Sequence, residues 1–386
     1  MRPVPENELA QLDDPDAALT ALHARIAPRF RRREVRERVY HYLAGLIGPI
    51  PRRTGRQLAA HTGEPRPDGM QRLLTTARWD PDALRDDLQA YVVEHFADPQ
   101  AVLVIAEMGF KKRGTASAGV ARQEVGASGQ PVNCQLGVFL GYVSRFGTAF
   151  LDRALYLPPE WHEDTDRRKR AHIPEGAGTQ SKGQIARTLL ERACAASVPH
   201  AWVVTDAPYG SDGDLRAWLA RRRRPYVLEI LATDEPLMHD DQGHPVRIAD
   251  LLARIPGDDW QSVAPADSAR DPYRWARVPL PYDDPEGWER WLLVRRHPAG
   301  SGNDRYFRTF HPTGTRLEDL VRVASARRTI EEAFRQARSE VGIDQYEVRR
   351  WDAWHRHMTL ALLAQAFLEV QRASEHGECG DRARSS

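Results

Sequence analysis

The chain has 386 residues, of which 41% are hydrophobic, and its 55 basic side chains nearly balance 54 acidic ones to give a formal net charge of +1. This length can bury a large core and predicts two or three domains. We find neither an apolar run of about 20 residues nor the apolar core of a signal peptide, so we expect no membrane span and a cytoplasmic location. The three cysteines are far apart, which argues against a disulfide framework and against a structural zinc site.

The first quarter of the chain has the periodicity of helices. Apolar residues recur at helical spacing from Asp16 to Leu46, and Asp80 to Phe96 forms a further amphipathic helix. Between them, two short helices around a turn resemble a helix-turn-helix. Two interpretations stay open: a DNA-contacting domain, or a helical bundle whose arginine face is solvated. The arginines that would meet phosphates in the first interpretation are Arg52, Arg53, Arg56 and Arg72.

The middle of the chain predicts an α/β core. Ala101 to Ile105 is a continuous apolar run, typical of a strand that is buried on both faces. Ala118 to Gln123 and Asn133 to Val143 would pair with it as a meander, followed by a second meander strand near Ala149 to Leu157. A short buried strand from Ala201 to Thr205 ends at Asp206. The predicted divisions are a helical domain, 1–98; the first part of the core, 99–225; a β-rich insertion, 226–312; the helical end of the core, 313–373; and a flexible tail, 374–386.

Three positions carry the predicted chemistry: the end of the first buried strand, Asp206, and Glu331 on a long helix near the C-terminus. Carboxylates brought together from two strand ends and a helix can hold two magnesium ions about 3.5 to 4 Å apart for phosphodiester chemistry. Arg327 and Arg338 fall on the same predicted helical face as Glu331, where they could grip a DNA backbone. An exposed helix laced with ion pairs is the alternative.

Several longer stretches carry a family resemblance, among them MGFKKRGTASAGVARQ, NCQLGVFLGYVS, HAWVVTDAPYG and RRTIEEAFRQARSEVGIDQYEVRRWDAWHRH. Over most of its length the chain resembles bacterial insertion-sequence transposases of the DDE class, in the group named seven-oh-one. The resemblance implies an RNase H-like catalytic core with a β insertion, Mg²⁺ as cofactor, and DNA hydrolysis and strand transfer at transposon ends. By it, Asp206 is similar to the second catalytic aspartate and Glu331 to the third carboxylate, and these two would be the metal ligands.

The end of the opening strand departs from the family pattern. Family members carry Asp-Glu-Thr-Gly-Phe or Asp-Asp-Thr-Gly-Phe there, whereas this chain reads AEMGF, so the resemblance places Ala106 at the first catalytic aspartate. Neighbouring side chains of a strand point to opposite faces, so Glu107 normally faces away from the position of Ala106. Glu107 could take over the role of the aspartate only if the strand slipped by one residue or bulged. We therefore expect metal-dependent cleavage and strand transfer to be impaired or lost.

Two outcomes of that loss stay open at the level of the sequence. The chain is either an impaired descendant of a transposase or a domesticated one, serving as a DNA-binding regulator or as an enzyme that acts on a small molecule in the former cleft. Double-stranded DNA is the expected partner, and a homodimer is a further expectation. The side chains predicted to contact DNA are Lys111, Lys112, Arg122, Arg327 and Arg338. For the lysines, a charged hairpin tip is an equally good structural account.

Overall fold

Helices form the N-terminal part of the computed structural model, which describes residues 15–124, 130–233, 238–239, 244–263, 273–297, 304–375 and 377. The region predicted from Asp16 to Leu46 is divided into two helices. The last N-terminal helix is capped by Asp80, whose side chain accepts a hydrogen bond from the backbone amide of Asp82. Pro81 occupies its first position, where the backbone N–H that proline lacks would have no partner within the helix. The helices are α1 Pro15–Ile26, α2 Arg33–Ile47, α3 Gly55–His61, α4 Asp68–Thr75 and α5 Pro81–Phe96.

Eleven strands and seven α-helices follow within the described residues. The strands are β1 Val102–Lys111, β2 Ala121–Gln123, β3 Val132–Ser144, β4 Gly147–Leu155, β5 Trp202–Thr205, β6 Tyr226–Ile230, β7 Met238–His239, β8 Pro245–Val246, β9 Arg274–Leu280, β10 Trp288–Arg296 and β11 Arg305–Pro312. The helices are α6 Thr165–Arg170, α7 Lys182–Ala195, α8 Ala207–Gly210, α9 Gly213–Arg221, α10 Ile248–Leu252, α11 Leu317–Glu340 and α12 Trp351–Glu375. Most of the predicted flexible tail lies outside the described residues.

A nine-stranded mixed sheet organises these elements. Its order is β2-β3-β1-β5-β6-β11-β10-β9, with β4 paired to β3. Strand β1 runs antiparallel to β3 and parallel to β5, which is itself parallel to β6. The α/β core with a helical N-terminal region is thus confirmed. Of the strands in the predicted insertion, β6, β9, β10 and β11 belong to this sheet, because β11 pairs directly with β6, whereas β7 and β8 pair with each other in a separate two-stranded sheet.

Helix α11 lies against the centre of the sheet. Gly141 of β3 pairs with Val104 of β1, and a Cβ at Gly141 would collide with the side chain of Ile330 on α11. Only glycine allows this close approach of helix and strand. The strand residues on this side, which we call the α11 face, therefore point toward the helix that carries Glu331.

Helix α12 joins the core to the N-terminal helices. Most of its side chains are buried, as expected for a helix that is apolar around most of its circumference. It packs on β4 and on α2, α4 and α5. Within the described ranges, no helix is long and apolar enough to cross a membrane.

Candidate active site

Ala106 lies on the α11 face of β1. It pairs with Phe139 of β3, whose ring packs 5.4 Å, centroid to centroid, from that of Phe334 on α11. Ala106 also lies two residues beyond Val104, and side chains two apart in a strand point the same way. The position that resembles the first catalytic aspartate is therefore directed toward the helix of Glu331, and it presents a buried methyl group.

Glu107 points to the opposite face of β1. The register between β1 and β3 is continuous from Val102 to Lys111, so no bulge turns this side chain around. Lys182, at the start of α7, donates a hydrogen bond of 2.9 Å to Glu107 Oε2. The Glu107 side chain is only 7% exposed, and its Oε1 has no hydrogen-bond partner within the described part of the chain. This carboxylate is thus held by a cation of the chain itself.

Asp206 directly follows β5. The parallel register pairs Ile105 with Thr205, so Asp206 is level with Ala106 at the carboxyl ends of the two strands. Burial raises the pKa of Asp206 to about 7; the charges of Glu107 and Glu229 add to this, while Arg327 and Lys182 oppose it. Its Oδ1 is buried and accepts no hydrogen bond from the described residues. The carboxyl group is therefore substantially protonated at neutral pH.

Glu229 is a carboxylate that the sequence analysis missed. It lies on β6 and is 2% exposed, with Arg305 Nη1 donating to Oε1 at 2.7 Å and Arg327 Nη1 donating to Oε2. The signal was an acidic residue inside the apolar strand YVLEI. Arg327 also reaches Glu331, since its Nη2 lies 2.9 Å from Glu331 Oε1. A buried carboxylate and an exposed one thus share a single guanidinium.

Comparison with known proteins decides the family. The family model described as DDE superfamily endonuclease matches residues 25–282 of this chain. The chain belongs to this family. The match includes Ala106 and Asp206 and ends before α11 and Glu331.

A curated relative adds to this assignment of the DDE family. The chain is 27% identical over 180 residues to a protein of Microchaete diplosiphon named "Probable transposase for insertion sequence element IS701". The aligned part is 45% of this chain and 43% of that protein. The chain therefore spans less than half of the length of the relative that it matches.

The DDE superfamily typically uses a divalent metal, and the donor set of this chain does not fit one. Ala106 offers no oxygen, and Glu331 is paired with Arg327. Glu107 points to the face of β1 opposite α11 and is bound to Lys182, although its charge acts on Asp206. Burial raises the pKa of Asp206 to about 7, so near neutral pH this carboxyl group must release a proton before it can bind a hard cation. Among the described residues, no three His, Cys, Asp or Glu side chains are grouped so that they could hold a metal ion.

The predicted DNA-contacting side chains differ in their surroundings. Lys111 and Arg122 are exposed. Lys112 lies 3.7 Å from the centre of the Tyr346 ring, and burial lowers its pKa to about 8. Arg338 lies 3.9 Å from a carboxylate oxygen of Asp344 and is not part of the ion pairs of Glu331. Lys111, Arg122 and Arg338 are therefore exposed, whereas Lys112 is partly buried.

Among the N-terminal arginines, Arg53 does not fit the interpretation in which all four contact DNA phosphates. It is 8% exposed, and its guanidinium donates to the carbonyl oxygens of Leu46, Gly48 and Ser339. Because these hydrogen bonds occupy the buried guanidinium group, Arg53 is not available to contact a phosphate. Arg52, Arg56 and Arg72, by contrast, are exposed.

Proposed function

We propose that this protein is a DNA-binding descendant of an insertion-sequence transposase that no longer cleaves or transfers strands with a metal. The observation that carries the proposal is the arrangement around Ala106. On the α11 face, β1 contributes a methyl group where a metal-bridging carboxylate would be needed, and the adjacent acid, Glu107, is directed to the other face. Loss of a bridging ligand strongly weakens a two-metal site.

Internal charge compensation supports the same proposal. Lys182 neutralises Glu107, and Arg327 lies between Glu229 and Glu331. A cluster of carboxylates that awaits a dication is repulsive without it, whereas these acids are already paired with guanidinium and ammonium groups. Burial and the charges of Glu107 and Glu229 raise the pKa of the remaining acid, Asp206. Three of these four acids therefore have a basic partner without a metal.

The binding part of the proposal rests on the family and on exposed basic side chains. These are Arg52, Arg56, Arg72, Lys111 and Arg122. Contacts of arginine and lysine with phosphates supply affinity that falls steeply with salt. The predicted homodimer and cytoplasmic location remain predictions.

The alternative of an enzyme acting on a small molecule in the former cleft predicts a cavity beside Ala106 and Met108. Both side chains are buried, at 7% and 2% exposure. Two cavities formed by the described residues, of about 430 Å³ and about 180 Å³, are lined by other side chains. No observation among the described residues favours this function, and we do not propose it.

Two assays on the full chain test the proposal. In a mobility-shift assay, the wild-type protein should bind random duplex DNA with an affinity that falls as salt is raised. In a plasmid-nicking assay with Mg²⁺ or Mn²⁺, it should give no product above that of the Asp206→Asn variant. Metal-dependent nicking by the wild type that Asp206→Asn abolishes would overturn the loss of cleavage, and salt-insensitive or absent binding would overturn the DNA role.

A further inference from the structure

A basic cavity lies on the side of the sheet opposite α11. Its volume is about 180 Å³, and it lies between α9 and the strands β6, β9, β10 and β11. Glu229 points toward Arg327 on α11, and Tyr226, three residues earlier on the same strand, points away from it. The cavity is therefore separate from the carboxylates described above. Its lining includes Arg216, Arg290, Arg308, Tyr226, Tyr282 and Thr309.

Three guanidinium groups converge in this cavity. Burial raises the pKa of the Tyr226 hydroxyl, and the charges of Arg290, Arg216 and Arg308 all oppose that rise, so all three act on one phenol. Burial lowers the pKa of Arg216, and the charge of Arg308 lowers it further. Like charges held this close in a partly buried site cost free energy that an anion would recover.

Two carboxylates among the described residues act on these arginines. Asp284 lies 3.1 Å from Arg290 Nη2, and the charge of Asp212 raises the pKa of Arg216, whose Nη1 donates to the neutral carbonyl of Gly210. The buried Nε of Arg290 has no hydrogen-bond partner among the described residues. Within the described part of the chain, three guanidinium groups therefore meet two carboxylates, and the Nε of Arg290 is a buried donor for an anion.

An aromatic ring borders the arginines. The Arg290 guanidinium lies 4.5 Å from the centre of the Tyr282 ring, and Arg308 Nη1 donates to the Tyr282 hydroxyl at 3.2 Å. Tyr282 is 37% exposed, a high value for a large aromatic side chain. The ring thus contacts two of the guanidinium groups and is partly exposed beside the cavity.

We propose that this cavity binds a phosphate group, with the Tyr282 ring beside it for the base of a nucleotide. Guanidinium groups match the oxygens of a phosphate through paired, charge-assisted hydrogen bonds. The cavity has the room, since about 180 Å³ corresponds to the share of about six water molecules in the liquid. The site uses none of the carboxylates around Ala106, so it is independent of the proposed loss of cleavage.

Isothermal titration of the full chain at low ionic strength tests the site with inorganic phosphate, thymidine monophosphate and a short single-stranded oligothymidylate as separate probes. Phosphate-containing probes should bind at one site, and Arg308→Gln and Arg216→Gln should each weaken binding by about tenfold or more. The matched control is Arg254→Gln, an exposed arginine elsewhere in the same region, which should bind as the wild type does. Equal weakening in the control would overturn the assignment.

The wild type alone already decides whether a site exists. Phosphate should raise its thermal unfolding midpoint in a saturable way compared with chloride at the same ionic strength; no such rise and no binding heat would overturn the proposal, whatever the variants do. Tighter binding of thymidine monophosphate than of phosphate, with the difference lost in Tyr282→Leu, supports the nucleotide. Equal affinity would overturn the part assigned to Tyr282, and binding of the oligonucleotide alone would overturn a site for a single phosphate group.

Discussion

Lys182 Nζ lies 2.9 Å from Glu107 Oε2, and this pair joins the start of α7 to the strand that should carry the first metal ligand. The carboxylate is 7% exposed and the lysine side chain 27%. A buried carboxylate that is paired in this way contributes to the folded state only as long as its partner is present. Glu107, paired with Lys182, therefore has a structural role.

Removal of the lysine should expose this dependence. Lys182→Met leaves Glu107 buried and uncompensated, and we expect it to lower the free energy of unfolding by about 2 to 3 kcal/mol in urea denaturation. The double variant Glu107→Gln with Lys182→Met should recover part of that loss. The control is Arg187→Met on the same helix, whose pair with Glu191 is exposed and should contribute less than about 1 kcal/mol. Equal losses for Lys182→Met and the control would contradict the role of the pair.

Arg53 and Arg52 are adjacent and should behave in opposite ways. Arg53→Ala removes the donors to three backbone carbonyls, so we expect a loss of about 2 kcal/mol in stability. Arg52 is exposed, and Arg52→Ala should change stability by less than about 0.5 kcal/mol. If Arg52 contacts a phosphate, its removal lowers the salt dependence of DNA binding by about one unit of slope. Stability loss in Arg52→Ala, or none in Arg53→Ala, would contradict these roles.

His357 should make the link between α12 and the N-terminal helices sensitive to acid. Its Nε2 lies 3.2 Å from the carbonyl oxygen of Ile343 and must donate, so Nδ1 accepts from the Tyr42 hydroxyl at 2.8 Å. Burial lowers the pKa of His357 to about 4, from 6.5 for a free side chain. The folded state thus holds the ring neutral where the unfolded chain takes up a proton.

The sign of the effect follows from this difference. The contribution of the neutral His357 ring to the free energy of unfolding is fully present above pH 6.5. It falls by up to about 3 kcal/mol as the pH is lowered from 6.5 to about 4. Urea denaturation at several pH values should show this fall in the wild type and a shallower one in His357→Gln. An identical pH dependence in the two proteins would contradict the assignment of His357.

Sequence patterns predicted the elements better than they predicted the contacts between them. The apolar run at Ala101 gave β1, and helical periodicity gave α11 and α12, because these signals are local. The pairing of β11 with β6 was missed, since nothing local in the sequence specifies which distant strand a strand pairs with. A strand that reads as part of an insertion can therefore belong to the central sheet.

The candidate site was predictable in part for the same reason. Ala106, Asp206 and Glu331 came from the resemblance, whereas the pairs of Glu107 with Lys182 and of Glu229 with Arg327 join residues that are 75 and 98 positions apart. Such pairs depend on the folded arrangement and leave no periodic signal. An arginine-rich stretch likewise does not tell which guanidinium is buried, as Arg53 is.

Metal binding tests the central claim most directly. We expect isothermal titration with Mg²⁺ to give no saturable heat for the wild type, because Ala106 supplies no ligand and Glu331 is paired with Arg327. Ala106→Asp, which returns a carboxylate to the α11 face, should gain weak saturable binding that a second change, Asp206→Asn, removes. Saturable binding of Mg²⁺ by the wild type that is lost in Asp206→Asn would contradict the account.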